Sequence, residues 1–294
     1  MTYTEFTLIE KIKQAHGSVS GNVTGIGDDC AVLSRNETEV TLISTDMLVQ
    51  NVHFTLESMS FEQIGRKAAA VNLSDIAAMG GIPESMLVSL GLPEGMSEEN
   101  ILKLYEGISS INKRWDVAIV GGDTVRALEL VVNVTITGRA LKDEVVYRSG
   151  AKAGDLIYVT GPLGGSIKGK HYNFISRIDE AQWLVKNCKP TAMMDISDGI
   201  AGDLRHILKA SLVQGAILDS AKIPLTEGCS LQEALSDGED FELLMSFSPE
   251  KKDFLQKASF PLYKIGIFTN EVDSLVVDYG DKKEDLDLYG YSHG

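Results

Sequence analysis

The sequence predicts a mixed fold of helices and strands divided between two domains. Three observations carry that expectation. The chain has 294 residues, more than one ordinary domain needs. Segments of helical periodicity alternate with short β-type runs from the N-terminus onward. At "RALKDEVVYRSGAKAGD" (139–155) the texture turns polar and rich in turn formers, before a new strand and glycine turn in "LIYVTGPLGG". The boundary therefore falls near 138, giving domains of 1–138 and 139–294.

In the first domain, residues 4–15 predict an amphipathic helix, with Phe6, Leu8, Ile9 and Ile12 near helical spacing. "CAVLS" (30–34) and "VTLISTD" (40–46) are short β-type runs. "SFEQIGRKAAAVNLSDIAAMGG" (60–81) predicts a long helix: Ser60 and Gln63 have capping-box spacing, and Gly80-Gly81 ends it. "MLVSLGL" (86–92) is a strand. "SEENILKLYEGISSINKR" (97–114) is a helix, with Ile101, Leu104, Tyr105, Ile108 and Ile111 on one stripe. "VAIVGGDT" (117–124) is a strand running into a turn. "LELVVNVTITG" (128–138) alternates Leu130, Val132, Val134 and Ile136 with smaller or polar positions, as a half-buried strand does. The second domain repeats the style. A strand is expected at 156–160, helices around 179–187 and 200–210, and strands near 241–247, 262–268 and 274–278.

Hydrophobic residues make up 44% and charged residues 23%, a soluble globular composition. Lys and Arg number 27 against 42 Asp and Glu, a formal charge of −15. No basic patch of the kind nucleic acid requires is visible, so no nucleic-acid partner is expected. The acidic surplus serves solubility, or some of it holds metal ions. Cys30, Cys188 and Cys229 make an odd set with no Cys-x-x-Cys, which suits a reducing compartment. The N-terminus lacks a long apolar signal core, and no run of 18 apolar residues occurs. A cytoplasmic protein with no membrane partner is expected.

Position is more informative than number. "GIGDDC" places Asp28 and Asp29 in a glycine turn, "ISTD" places Asp46 at a strand end, and "NLSD" places Asp75 in an apolar helix. "GGDT" places Asp123 after a strand, and "MDISDG" places Asp195 and Asp198 before a helix. Alone, each has an ordinary explanation: turn former, helix cap or polar helix-end residue. Together they repeat one grammar, and caps do not require Asp beside "LIS" or "AIVGG". If these carboxylates converge, their mutual repulsion must be relieved. Arg66, Lys67, Arg126, Arg148 and Lys152 are the few basic residues flanking them. Magnesium, several ions of it, answers the need, because Mg²⁺ takes carboxylate, hydroxyl and phosphate oxygens. Ser44, Thr45 and Ser197 offer hydroxyls beside the acids. Mg²⁺ commonly bridges to substrate phosphates, and glycine turns let backbone N–H groups approach them.

"GGSIKGKH" (164–171) nearly matches a P-loop, but His171 stands where that motif needs a Ser or Thr hydroxyl. No dinucleotide fingerprint, H-E-x-x-H, kinase signature set or nucleophile elbow is present. The five histidines are scattered.

In order, "GIGDDCAVL", "ISTDMLVQNVHF", "RKAAAVNLSDIAAMGGIP", "VGGDTVR", "YRSGAKAGDLIYVTGPLGGS", "MDISDGIAGDLRHI" and "GEDFELL" resemble the thiamine-monophosphate kinases. That family belongs with the aminoimidazole ribonucleotide synthetases and selenophosphate synthetases. The resemblance implies two α+β domains of the aminoimidazole ribonucleotide synthetase-like type, a homodimer formed through strands of the N-terminal domain, and ATP in a cleft between the domains. It implies metal ligation by Asp29, Ser44, Thr45, Asp46, Asp75, Asp123, Asp195 and Asp198. Of these, Asp46, Asp123, Asp195 and Asp198 would be catalytic. Nucleotide contacts fall on Tyr105, Gly122, Asp123, Arg148 and Ser197; substrate contacts fall on His53, Glu239 and a C-terminal aromatic, Tyr291 or Tyr289. The implied reaction is direct in-line transfer of the ATP γ-phosphoryl group to thiamine monophosphate. Plainer roles stay open for several: Tyr105 as core, His53 as a strand histidine, Glu239 as a turn acid, Arg148 as a surface charge.

Three features depart from the family pattern. Asp237 replaces the first of two glycines before Glu239-Asp240, His293 is followed by Gly294 rather than Phe, and the stretch between "GPLGGS" and "MDISDG" is short. All lie in the substrate half. They keep two alternatives in view: another ATP-using member of the superfamily, and a non-catalytic nucleotide- or metal-binding homologue. Residues 1–29 hold no Cys for selenium chemistry, and "GYSHG" ends without the reactive Cys of a hydrogenase-maturation relative.

Overall fold

The computed structural model describes residues 5–17 and 23–288. Helix α1 (Glu5–His16) precedes strands β1 (Val23–Thr24), β2 (Ala31–Ser34) and β3 (Glu39–Val49). Helix α2 (Phe61–Ala78), β4 (Ile82–Leu92), α3 (Glu98–Asn112), β5 (Ala118–Arg126) and β6 (Val131–Leu141) follow. Then come β7 (Leu156–Val159), α4 (Lys170–Asn173), α5 (Ile178–Asn187), β8 (Ala192–Asp195), α6 (Ile200–Ser211) and β9 (Gly215–Asp219). The chain continues with α7 (Leu231–Ser236), β10 (Leu243–Phe247), α8 (Lys252–Leu255), β11 (Tyr263–Thr269), β12 (Leu275–Asp278) and β13 (Lys283–Asp285).

Two mixed sheets result. The first has strand order β1-β2-β3-β6-β4-β5 and the second β13-β12-β9-β11-β7-β10-β8. Helix α2 joins the two halves, packing on β3 and β6 of the first sheet and on α4, α5 and β8 of the second half. Its start follows the sequence: Ser60 and Gln63 form a complete capping box. Its end does too: Gly80, at φ 70°, takes the left-handed turn that stops the helix. Helix α3 crosses α2 at two glycines. A Cβ on Gly65 would lie 1.9 Å from the Leu104 carbonyl oxygen, and one on Gly107 2.0 Å from that of Glu62. The helices therefore touch backbone to backbone.

Two strands outrun their sequence pattern. β3 does not end at Asp46; it pairs with β6 from Glu39 opposite Leu141 to Val49 opposite Val131. β5 does not turn at Asp123; it runs to Arg126 in a parallel ladder with β4. The ladder bonds are made by backbone, so polar side chains and glycines do not stop them. β6 likewise continues to Leu141, past residue 138. Strands β8 and β9 and helix α7 have no counterpart in the sequence reading. β8 is a four-residue, fully buried run, "AMMD", without the alternation that marks a half-buried strand. The helix expected at 4–15 is α1, in which Leu8, Ile9 and Ile12 are exposed. The three cysteines are free thiols, as their odd count suggests. Among the described residues no helix is long and apolar enough to cross a membrane.

Replacing Gly107 with Ala forces α3 off α2 and is expected to destabilise the protein by about 1–3 kcal/mol. A thermal melt unchanged from that of the unsubstituted protein would show that the two helices do not need this close approach.

Candidate active site

A cleft of about 1050 Å³ opens between the two sheets. Asp29, Ser44, Asp46, Asp75, Arg148, Asp195, Ser197 and Asp198 line one part of it, and His53, His171, Asp237 and Glu239 line another. Inward-facing positions of β3 deliver Ser44 and Asp46, two residues apart on one face. The last turn of α2 delivers Asp75. A carboxylate there opposes the helix dipole, so helix stability does not account for it. The C-terminal end of β8 delivers Asp195, which is 2% exposed.

Carboxylate oxygens of Asp29, Asp75 and Asp195 lie within 4.8 Å of one another. Ser44 donates a hydrogen bond to Asp75, and Ser74 donates to Asp195 Oδ2 at 2.5 Å. Arg148 reaches the group from the segment joining the two halves; its guanidinium is 2.7 Å from Asp29 Oδ1. Its backbone N–H donates to Asp28 Oδ1 at 2.7 Å, which fixes the entry of that segment. One guanidinium does not neutralise the cluster. Burial, then Asp46, Asp195 and Asp29, hold the Asp75 pKa well above the usual carboxylate range. Burial, then Asp29, push Asp195 up to about 7. Burial also raises Asp46. Closely spaced, buried oxygen donors that resist ionisation fit a hard divalent cation, which would favour their charged forms.

Asp198 sits beside the cluster but does not cap α6. The cap position is Gly199, with no side-chain capping bond. The Asp198 N–H instead donates to buried Asp203 at 3.3 Å. Thr45 lines the cleft, yet its hydroxyl lies on the outer face of the sheet, donating to the Val134 carbonyl at 3.0 Å. Strand alternation imposes this: with Ser44 and Asp46 inward, Thr45 must point outward.

The chain does not bring Asp123, Gly122 or Tyr105 into this cleft. Asp123 is exposed on β5, the sheet's edge strand, opposite Ser89. Gly122 packs against β4 so closely that a Cβ would lie 1.7 Å from the Val88 carbonyl oxygen. Tyr105 is half-buried on α3, packed against the core. Convergence of all five acidic segments within one chain therefore fails at "GGDT", because β6 and β4 lie between β5 and β3 and set Asp123 to one side of the cleft. Tyr289 and Tyr291 lie outside the described residues.

The residues 164–171 do not form a phosphate cradle. The Gly164 N–H donates to Asp240 at 2.9 Å and the Gly165 N–H to Asp237 at 3.0 Å. Lys170 pairs with Asp240 and Glu242. The chain's own carboxylates thus take the places an anion would need. Asp237, the departure from the family pattern, ties this loop to the one carrying Glu239.

Sequence reading missed the structure around Glu239. Fully buried Lys67 lies 2.6 Å from Glu239 Oε1, and His171 Nδ1 lies 3.3 Å from Oε2. Lys67, Val71 and Asp75 repeat every fourth residue on α2, so a lone lysine in line with a functional aspartate was the available signal.

The family model for the AIR synthase related protein N-terminal domain matches residues 27–140. Thiamine-monophosphate kinase from Bacillus subtilis (strain 168) is 35% identical, over 98% of this chain and 99% of its own. The chain belongs to the thiamine-monophosphate kinase family. The family member from Escherichia coli (strain K12) is 33% identical, over 100% of this chain and 99% of its own. Among solved structures, AaThiL complexed with AMPPCP and TMP superposes with a TM-score of 0.87 at 29% identity, covering 99% of this chain and 97% of that one. A chain of the HypE–HypF complex, at 16% identity and TM-score 0.72, shares the fold. The mixed α+β architecture expected from the sequence is thus that of a family of enzymes.

A carboxyl whose pKa is raised by folding favours the fold while protonated, and that favour is lost as pH rises through the folded value. Asp46, Asp75 and Asp195 act in this direction. Burial drives His206 the other way, to about 4, which weakens the fold once unfolded histidine protonates. Above the ordinary histidine value of about 6.5 the carboxyls decide. Chelator-treated protein is therefore expected to melt at lower temperature as pH rises from about 6.5 to 8, with Asp195→Asn flattening the slope. A slope of opposite sign would refute the crowding of these acids.

Proposed function

We propose that this chain transfers the γ-phosphoryl group of ATP to thiamine monophosphate, giving thiamine diphosphate and ADP, in the cytoplasm. The observation that carries this is the convergence of Asp29, Asp75 and Asp195 at one cleft, in a chain related over its whole length to thiamine-monophosphate kinases. The AaThiL structure pairs an ATP analogue with TMP on the same fold.

Asp29, Asp46, Asp75, Asp195 and Asp198, with Ser44, would hold several magnesium ions; the Thr45 hydroxyl, on the other face of β3, would not. When bound, these ions would screen the repulsion between two phosphorylated molecules and favour in-line approach. Arg148 and Ser197 contact the nucleotide, and Arg148 is kept in place by Asp29. His53, Glu239 and Tyr291 contact the acceptor. The acceptor's phosphate oxygen is largely ionised at neutral pH and needs no strong base. It forms a bond to the γ-phosphorus as the bond to the ADP oxygen breaks, with no covalent enzyme intermediate.

Tyr105, Gly122 and Asp123 act, in this reading, through a homodimer. Met47, Leu87 and Val125 are exposed on strands of the first sheet. Pairing two copies through these strands would cover them and carry β5 toward the second copy's cleft.

ADP release from ATP and magnesium, with and without thiamine monophosphate, tests the activity. Acceptor-dependent release is expected; tight ATP binding without acceptor effect would favour a non-catalytic homologue. Asp46→Asn and Asp123→Asn should each lower turnover by at least about a hundredfold without loss of fold. Mixed and allowed to exchange subunits, the two variants should regain activity, since one site per mixed dimer would be intact. No recovery would refute the shared site.

A further inference from the structure

The part of the cleft that holds Glu239 is built around a lysine with no solvent contact. Lys67 Nζ lies 2.6 Å from Glu239 Oε1, 3.0 Å from the His53 carbonyl oxygen and 3.0 Å from His171 Nδ1. The partners come from three segments: the turn after β3, helix α4, and the loop 237–241. His171 completes the node in either tautomer, accepting from the lysine or donating to Glu239 Oε2 at 3.3 Å. A buried ammonium without partners would be strongly disfavoured, so the node explains how an Ala-rich helix carries one.

Glu239 is held at every point. Its φ of 64° is left-handed, a region that glutamate adopts only where its surroundings impose it. Its N–H donates to the Ser197 carbonyl at 2.7 Å, and its carbonyl accepts from Ser166 Oγ at 2.5 Å. Yet its side chain remains 31% exposed, toward the cleft. Burial pushes its pKa up, but His171 and Lys67 outweigh burial and hold it below the usual value. The result is an oriented anion facing a ligand-sized space. Such an anion suits an acceptor whose ring system carries positive charge and N–H donors, as thiamine's does.

We infer that Lys67 is a positioning residue for the phosphoryl acceptor, acting through Glu239, whose carboxylate it orients from behind toward the cleft. The inference rests on the kinase reading above. Lys67 itself is enclosed and meets neither substrate.

Steady-state kinetics with both substrates varied test it, on unsubstituted protein, Lys67→Met, Glu239→Gln and the double variant. Lys67→Met is expected to raise KM for thiamine monophosphate at least about tenfold while KM for ATP stays within about twofold, as loss of an oriented charged contact implies. The double variant should match Glu239→Gln in acceptor KM, because Lys67 acts through that carboxylate. Should Lys67→Met not fold, the double variant, which removes both charges, still carries the comparison. An unchanged acceptor KM, equal changes for both substrates, or losses that multiply in the double variant would overturn the inference while leaving the kinase reading intact. Absence of acceptor-dependent turnover in the unsubstituted protein would overturn both.

Discussion

Mutual repulsion among buried carboxylates is the constraint around which this molecule is organised. Asp29, Asp75 and Asp195 come from a loop, a helix and a strand in different parts of the chain, and their oxygens still lie within 4.8 Å of one another. Such a cluster opposes folding unless something offsets it. The chain supplies partial relief, through hydroxyls of Ser44 and Ser74 and the guanidinium of Arg148. The remainder is a standing demand for positive charge. A hard divalent cation would meet that demand, because it favours the charged forms of the same oxygens.

Helix α2 makes the cluster possible. It is buried along most of its length and shared by both halves of the fold, so whatever it carries is fixed relative to both sheets. Lys67 and Asp75 are eight residues apart on it, about 12 Å of helix rise. A single rigid element thus sets the spacing between the acidic cluster and the Lys67–Glu239 pair. The glycine contact with α3 holds that element in place from the other side.

The loops of the second half close one side of the cleft. Asp237, Glu239 and Asp240 bind the loop 164–166 by side chain or main chain, which ties the two loops together. A glycine-rich stretch that resembles a phosphate cradle in one dimension is, in three, already satisfied by the chain's own acids. The structure agrees with the sequence, which already fails the motif at His171; a motif records which N–H groups are available, not which acceptor reaches them.

Much of the framework was legible in the chain. The capping box at Ser60, the stop at Gly80 and the long helix between them are local, and short-range hydrogen bonding fixes them. So was the grammar of aspartates at glycine turns and strand ends, together with the family it indicates. Strand lengths were less so: β3 runs past Asp46 and β5 past Asp123 because a ladder is set by its partner strand, which local composition does not encode. The inward or outward direction of each acid was beyond reach for the same reason. Asp46 and Asp123 each follow a short β-type run in the sequence, yet one faces the cleft and the other stands on an exposed edge. Which residues carry the charge can be read from the chain alone. Which of them meet, with Lys67 behind Glu239 and Asp123 apart, follows from strand order and helix crossing between segments far apart in the chain.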